Sequence, residues 1–184
     1  PIIFVNEPWN APVGLCGEHQ RWNAAVAVAT LRASGLEIPA AAIPEGLASV
    51  DWPARFQRVG ERFIVDGAHN AHSAKALVAT WREAFGDSRA TVVFGALRDK
   101  DHAEMLALLS GIAARLLNVP VASERAEHPA AIAAPRGISA LCCDSSVDAI
   151  DRARAFSEPI LISGSLFLAG EALRIFGENP SLKA

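Results

Sequence analysis

The stretch FIVDGAHNAHSAKALVATWR, residues 63–82, decides how the rest of the chain is read. An apolar run, Phe63-Ile64-Val65, stops at Asp66, and the polar turn Gly67-Ala68-His69-Asn70 follows. The apolar period then becomes helical through Ala74, Leu77, Val78 and Trp81. A buried strand, a tight turn and an amphipathic helix are the expected structure. In open parallel sheets, ligands sit outside the carboxyl ends of the strands. Asp66 and His69 therefore stand where chemistry is usually done.

Outward from this unit the pattern repeats. Strand-like runs at 62–66, 91–95, 116–121, 138–142 and 160–163 alternate with helical stretches near 71–85, 102–114, 146–156 and 165–176. A short Ala-rich helix is expected near 129–134. Alternation of this kind predicts right-handed crossovers and a Rossmann-like α/β fold, a mostly parallel sheet flanked by helices. Asp101-His102-Ala103-Glu104 has the spacing of a capping box, and Gly86 and Gly177 are expected helix stops. The first sixty residues differ. A helix at about 21–34 ends at Gly35, and a stretch punctuated by Pro and Gly runs from Pro39 to Pro53. A boundary is expected at about 55–60, dividing the chain into residues 1–57 and 58–184.

Composition narrows the classes. Apolar residues make up 51% and charged residues 20%, enough to bury a globular core. Net charge is −3 with no basic block, which argues against a nucleic-acid surface, and the apolar runs are too short to span a membrane. Cys16, Cys142 and Cys143 fit neither a disulfide framework nor a zinc motif, and buried reduced thiols in a cytoplasmic protein are expected. The chain opens Pro1-Ile2-Ile3 without Met, as a piece of something longer would.

The polar residues gather after the strands. They are Asp66, His69 and Asn70; then Arg98, Asp99, Lys100 and Asp101; then Ser123, Glu124 and Arg125; then Asp144, Ser145 and Ser146; and finally Ser163-Gly164-Ser165. Asp101 and Ser146 are expected to serve as helix caps, whereas Asp66 and His69 are expected to be functional. Ser163-Gly164-Ser165 opens a helix whose free N–H groups attract a carboxylate or phosphate. No G-x-G-x-x-G and no G-x-x-x-x-G-K-[ST] occurs, so neither a dehydrogenase fingerprint nor a phosphate loop is present. His69, His72 and Asp66 are conceivable as a metal site, but no further ligand supports one.

Five motifs stand in order: G-E-H-Q-x-x-N-A-A at 17–25, W-P-A-R-F-Q at 52–57, D-G-A-H-N at 66–70, F-G-x-x-x-D-K-D at 94–101 and S-G-S-L-F-L-A-G at 163–170. Over about residues 12–177 the chain resembles the C-terminal part of the folylpolyglutamate and dihydrofolate synthases of the Mur ligase superfamily. The resemblance implies ATP-dependent, ADP-forming amide synthesis in the cytoplasm. A folate or dihydropteroate carboxylate is phosphorylated, and the amine of L-glutamate attacks the acyl phosphate. It implies that Asn23, Arg55 and Asp66 contact ATP, Asn23 and Arg55 from the rim of a central ATPase domain. His69, as a catalytic-site residue, and Ser165 would stand near incoming glutamate or the transferred phosphoryl group, and Lys100 near a glutamate carboxylate.

Elementary chemistry agrees with those roles. Arg55 is a permanent cation suited to phosphate oxygens, an ionised Asp66 accepts from ribose hydroxyls, and Asn23 both donates and accepts, as an adenine edge requires. His69 contacts or orients the nucleophile, with no general-base role assigned. Asn23 packing within its helix and Arg55 pairing with a surface acid are the structural alternatives. The phosphate loop, magnesium ligands and folate-binding elements of the resembling enzymes belong to an N-terminal region not found here. The resemblance thus implies a fragment that is inactive alone, with residues 1–57 as the end of the central domain. Ala54 stands where the pattern commonly has Gly. A peptidoglycan ligase of the same superfamily and a non-catalytic Rossmann-like nucleotide-binding module remain the alternatives.

Overall fold

A computed structural model describes residues 2–178. The chain divides into two compact units, one ending at Pro53 and the other beginning at Ala54. The boundary read from the sequence falls four residues later, between 57 and 58.

In the first unit, helix α1 spans Glu18–Ala33 and α2 spans Ala42–Ser49. Gly17 takes φ 98° before α1, and Gln20, Ala24 and Val28 are buried along one stripe at four-residue spacing. Helix α1 starts three residues before the expected position, so the Glu18-His19-Gln20 motif forms its first turn. Helix α2 was hidden by the Pro and Gly residues around it.

The second unit is built on six strands: β1 (Gln57–Val59), β2 (Phe63–Val65), β3 (Ala90–Phe94), β4 (Ala113–Asn118), β5 (Ser139–Cys142) and β6 (Ile160–Ser163). Helices α3 (Ala71–Phe85), α4 (His102–Leu109), α5 (Ser146–Arg154) and α6 (Leu166–Glu178) connect or follow them. The strand order is β1-β2-β6-β3-β4-β5; β1 pairs antiparallel with β2, and every other pair is parallel. The expected α/β architecture is present, with an antiparallel edge strand added.

Alternating strand residues build two cores. Phe63, Val65, Val93, Leu117, Ile160 and Ile162 pack with α5 and α6 residues such as Ile150 and Leu168. Ile64, Val92, Phe94, Leu116 and Leu161 pack with α3 and α4 residues such as Leu77, Trp81, Leu106 and Leu109. Strands buried on both faces are continuous apolar runs, as the sequence shows for β2, β3 and β6. Trp81 is fully buried, and its Nε1–H donates to the Ser88 carbonyl at 2.7 Å. The helices that follow β2 and β3 cover one face, and those that follow β5 and β6 cover the other. Strand β6 lies between β2 and β3, so the loops leaving these three central strands meet at one edge.

Several local expectations need correction. The edge strand β5 is exposed throughout; Cys16 and Cys142 are exposed, and only Cys143 is buried. Burial pushes the Cys143 thiol above its ordinary range, as does the nearby Asp148 carboxylate. Ser145, not Ser146, caps α5, accepting the Asp148 N–H at 3.1 Å. Gly177 lies inside α6, whereas Gly86 does end α3, with φ 61°. The Ala-rich segment is a single 3₁₀ turn, Pro129–Ala131. No helix among the described residues is long and apolar enough to cross a membrane.

Opposite this edge, Arg115 pairs with Glu158 at 2.8 Å and stacks over Phe156 at 3.7 Å from the ring centroid. The Arg115 hydrogen bond holds the Glu158 carboxyl below the usual range. A lowered folded-state pKa stabilises the fold above the ordinary glutamate value and is lost as pH falls through the lowered one. Glu158→Gln is therefore predicted to cost less than about 1 kcal/mol at pH 7. The cost should shrink on acidification below the ordinary carboxylate range. Urea denaturation midpoints of both proteins from pH 7 to pH 3 check this; a constant gap contradicts it.

Candidate functional site

The site begins with Asp66, the residue after β2. Its N–H donates to the Ile162 carbonyl at 3.0 Å, continuing the parallel ladder one step beyond the strand. Its side chain then turns back across the chain. Oδ2 accepts the Phe56 N–H at 2.8 Å, and Oδ1 accepts the Ala68 N–H at 2.9 Å. The Gly67 N–H donates to the Ala54 carbonyl at 2.9 Å, and the Ala54 N–H to Gln57 Oε1 at 2.9 Å. Four hydrogen bonds thus close a compact turn around Arg55.

That turn is strained. Ala54 has φ 58° and Phe56 has φ 49°, left-handed values that non-glycine residues rarely adopt. Strain of this kind survives only where surrounding contacts over-determine it, and it clusters at functional sites. Here the Phe56 ring is buried, edge-on to Trp81 at 6.3 Å and tilted against Phe85 at 6.2 Å. Between the two left-handed residues, Arg55 is exposed. Among the described residues its guanidinium has no ion-pair or hydrogen-bond partner.

Gly67 permits the close approach beside it. A Cβ there would lie 2.5 Å from Leu166 Cδ2 and 3.6 Å from Arg55 Nη1, so the guanidinium stands alongside Gly67. The Gly67 carbonyl in turn faces His69 Nδ1 at 2.9 Å. A carbonyl only accepts, so Nδ1 carries the proton, leaving Nε2 of a neutral ring as an acceptor. The His69 N–H donates to Ser73 Oγ at 3.1 Å, and Ser73 also completes the Asn70 capping box of α3.

His69, Lys100 and Ser165 line one cleft with Leu97, Gly164, Leu166 and Phe167, enclosing about 70 Å³. These residues leave β2, β3 and β6, the three neighbouring strands. Gly164 takes φ 118°, and a Cβ there would lie 2.6 Å from the Gly95 carbonyl oxygen, so the cleft floor excludes a side chain. Ser165 is buried, and its Oγ accepts the Leu168 N–H at 3.1 Å, making it the cap of α6.

The polar loop after β3 divides its labour. Arg98 donates from its backbone to the Arg125 carbonyl at 2.9 Å and from its side chain to the Glu124 carbonyl at 2.6 Å. Asp99 pairs with Arg125 at 3.1 Å, and Asp101 caps α4 through the Glu104 N–H at 3.0 Å. Lys100 enters no ion pair among the described residues and is the loop's charged residue that lines the cleft. Arg55, beside Gly67, and Lys100, in the cleft, thus make no ion pair among the described residues. Such a distribution favours an anionic ligand.

Asn23 belongs to the first unit. It is exposed on α1, and its Nδ2 donates to Gln20 Oε1 at 3.0 Å. No three His, Cys, Asp or Glu side chains gather to hold a metal among the described residues. Phe56 and Gln57 in the turn, and Leu97, Leu166 and Phe167 in the cleft, are not expected as site residues from the sequence. The W-P-A-R-F-Q motif contained the first two, but nothing in it revealed a left-handed backbone.

Fold and site together define a Rossmann-like α/β domain whose polar residues converge at the carboxyl ends of β2, β6 and β3. The Mur ligase, glutamate ligase domain family matches residues 54–166, and the chain belongs to that family. It is similar to the dihydrofolate synthase/folylpolyglutamate synthase of Escherichia coli, at 35% identity over 86% of this chain and 39% of that protein. Solved structures resemble it as well. The E. coli FolC complex with DHPP and ADP has a TM-score of 0.83 at 34% identity, covering 93% of this chain and 42% of the other. The Yersinia pestis bifunctional synthase complexed with AMPPNP and Mn has a TM-score of 0.80 at 27% identity, covering 91% and 41%. The chain therefore spans about two fifths of the length of each of these proteins.

The clamp on the Arg55 turn generates a stability prediction. Asp66→Ala removes a carboxylate that accepts two backbone N–H groups, and should cost about 2–3 kcal/mol. Asp66→Asn keeps one accepting oxygen and should cost about half as much. Urea denaturation followed by tryptophan fluorescence measures both; an Asn variant as stable as the parent would show that the second bond contributes nothing.

Proposed function

We propose that the chain is the C-terminal part of a cytoplasmic, ATP-dependent, ADP-forming ligase that adds L-glutamate to a folate or dihydropteroate carboxylate through an acyl phosphate. One observation carries the reading: a cation, an imidazole acceptor and a capped helix start, Lys100, His69 and Ser165, line one cleft, with Arg55 beside Gly67 at its border. Family membership and the nucleotide and folate-related ligands of the similar structures support it.

In this reading Arg55 meets phosphate oxygens, which a permanent planar cation suits, and its worth grows as charge shifts in transfer. Asp66, acceptor-only when ionised, meets ribose hydroxyls. Asn23, in the first unit, suits an adenine edge, which needs both a donor and an acceptor. Lys100 holds a glutamate carboxylate, and His69 orients the amine that attacks the acyl phosphate. Leu97, Leu166 and Phe167 give the cleft an apolar lining, which disfavours water beside the acyl phosphate. Magnesium, when bound, would neutralise phosphate charge. In this reading its ligands lie in the part of the similar proteins' length that the chain does not span.

Two assays test the reading. The isolated chain should release no ADP above background with ATP, folate and glutamate. The intact protein should release ADP only when folate and glutamate are both present, and Lys100→Ala should raise KM for glutamate about tenfold with KM for ATP little changed. ADP release driven instead by a UDP-muramoyl peptide and another amino acid would overturn the folate assignment.

A further inference from the structure

The W-P-A-R-F-Q motif ends in two residues that the proposed reaction leaves without a role. Gln57 opens the edge strand β1, with its backbone paired to Val65. Its side chain does something unrelated to that strand: Oε1 reaches back three residues to accept the Ala54 N–H at 2.9 Å. Ala54 has φ 58°, which an alanine holds only against steric resistance from its own Cβ. On the far side of Arg55, Phe56 at φ 49° is held by the Asp66 carboxylate and by its buried ring against Trp81 and Phe85. Arg55 is the residue between these two fixed points, and it lacks any hydrogen-bond partner of its own among the described residues. Its direction is therefore set by the backbone on either side.

We infer that Gln57 is a positioning residue for Arg55, holding residue 54 left-handed so that the guanidinium stands beside Gly67 at the border of the cleft. The inference rests on the proposed role of Arg55 toward phosphate. With the Gln57 acceptor removed, Ala54 relaxes toward the ordinary right-handed or extended regions and the guanidinium swings away from Gly67. The strand pairing of residue 57, made by its backbone, stays in place. Gly at residue 54 would hold the left-handed conformation without help, because it has no Cβ to resist it. Glu at residue 57 would still offer an oxygen to the Ala54 N–H.

The intact ligase, assayed for kcat and KM with ATP and with glutamate, together with its thermal midpoint, tests this. Gln57→Ala should lower kcat/KM for ATP about tenfold, the scale of one well-placed hydrogen bond, with the midpoint moved by only a few degrees. Gln57→Glu, and Ala54→Gly combined with Gln57→Ala, should each return kcat/KM to within about threefold of the parent. Arg55→Ala combined with Gln57→Ala should be no slower than Arg55→Ala alone, because a positioning residue has nothing left to position. Parental ATP kinetics in Gln57→Ala, or an equal loss on the Arg55→Ala background, overturns the inference. A midpoint collapse that tracks the rate through every variant makes Gln57 a purely structural residue and also overturns it. Parental kinetics in Arg55→Ala itself refutes the phosphate role of Arg55, a separate failure read from a variant in which Gln57 is untouched.

Discussion

One carboxylate, that of Asp66, holds together the parts of the site that the chain supplies from different places. Its two oxygens take backbone N–H groups on opposite sides, Phe56 at 2.8 Å and Ala68 at 2.9 Å. The first bond ties the strained 54–56 turn to the end of β2; the second shapes the loop that leads to His69. Hydrogen bonds to an ionised acceptor are about twice as strong as neutral ones, which suits a position where two left-handed residues must be held. The same clamp explains why the compact units separate before Ala54 rather than after Gln57. Residues 54–57 are fastened to β2, so Arg55 travels with the second unit.

The sheet order makes that clamp useful. Because β6 inserts between β2 and β3, loops from three distant parts of the sequence emerge side by side, and crossovers on opposite faces open a crevice between them. Small residues let the loops close in. Gly67 and Gly164 lie where a Cβ would strike Leu166 and the Gly95 carbonyl, at 2.5 and 2.6 Å. Most charged groups at this edge are spent on structure, as in the Asp99–Arg125 pair and the Asp101 cap. Arg55 and Lys100, which stand beside Gly67 and in the cleft, make no ion pair in that framework among the described residues.

Much of this was legible in the sequence. The apolar runs of β2, β3 and β6 are buried on both faces and gave clear strand signals; the 3.6-residue pattern of α3 was equally plain. Where the signals are weak, expectation and structure differ. Ala113-Ala114 continues the pattern of α4 but forms the start of β4, and Val119-Pro120-Val121 looks like strand although β4 ends at Asn118. Strand β1 is three residues long, two of them polar, too short for a periodicity to register. The exposed Cys142 was mistaken for core because edge and central strands share composition. His69, Lys100 and Ser165 were legible as polar residues after strands, and their common cleft follows from the strand order. The structural work of Asp66, and the left-handed turn it holds, depends on a contact across ten residues that no local pattern encodes.

The measurement that bears most directly on this account is amide hydrogen exchange at Phe56 and Ala68, resolved by residue. Both N–H groups lie in turns outside the sheet ladder, and the Asp66 carboxylate is the acceptor of each. The account predicts exchange as slow as that of amides in β2, with protection at Phe56 and Ala68 lost together in Asp66→Ala. Exchange at the rate of an open loop in the parent protein would contradict it.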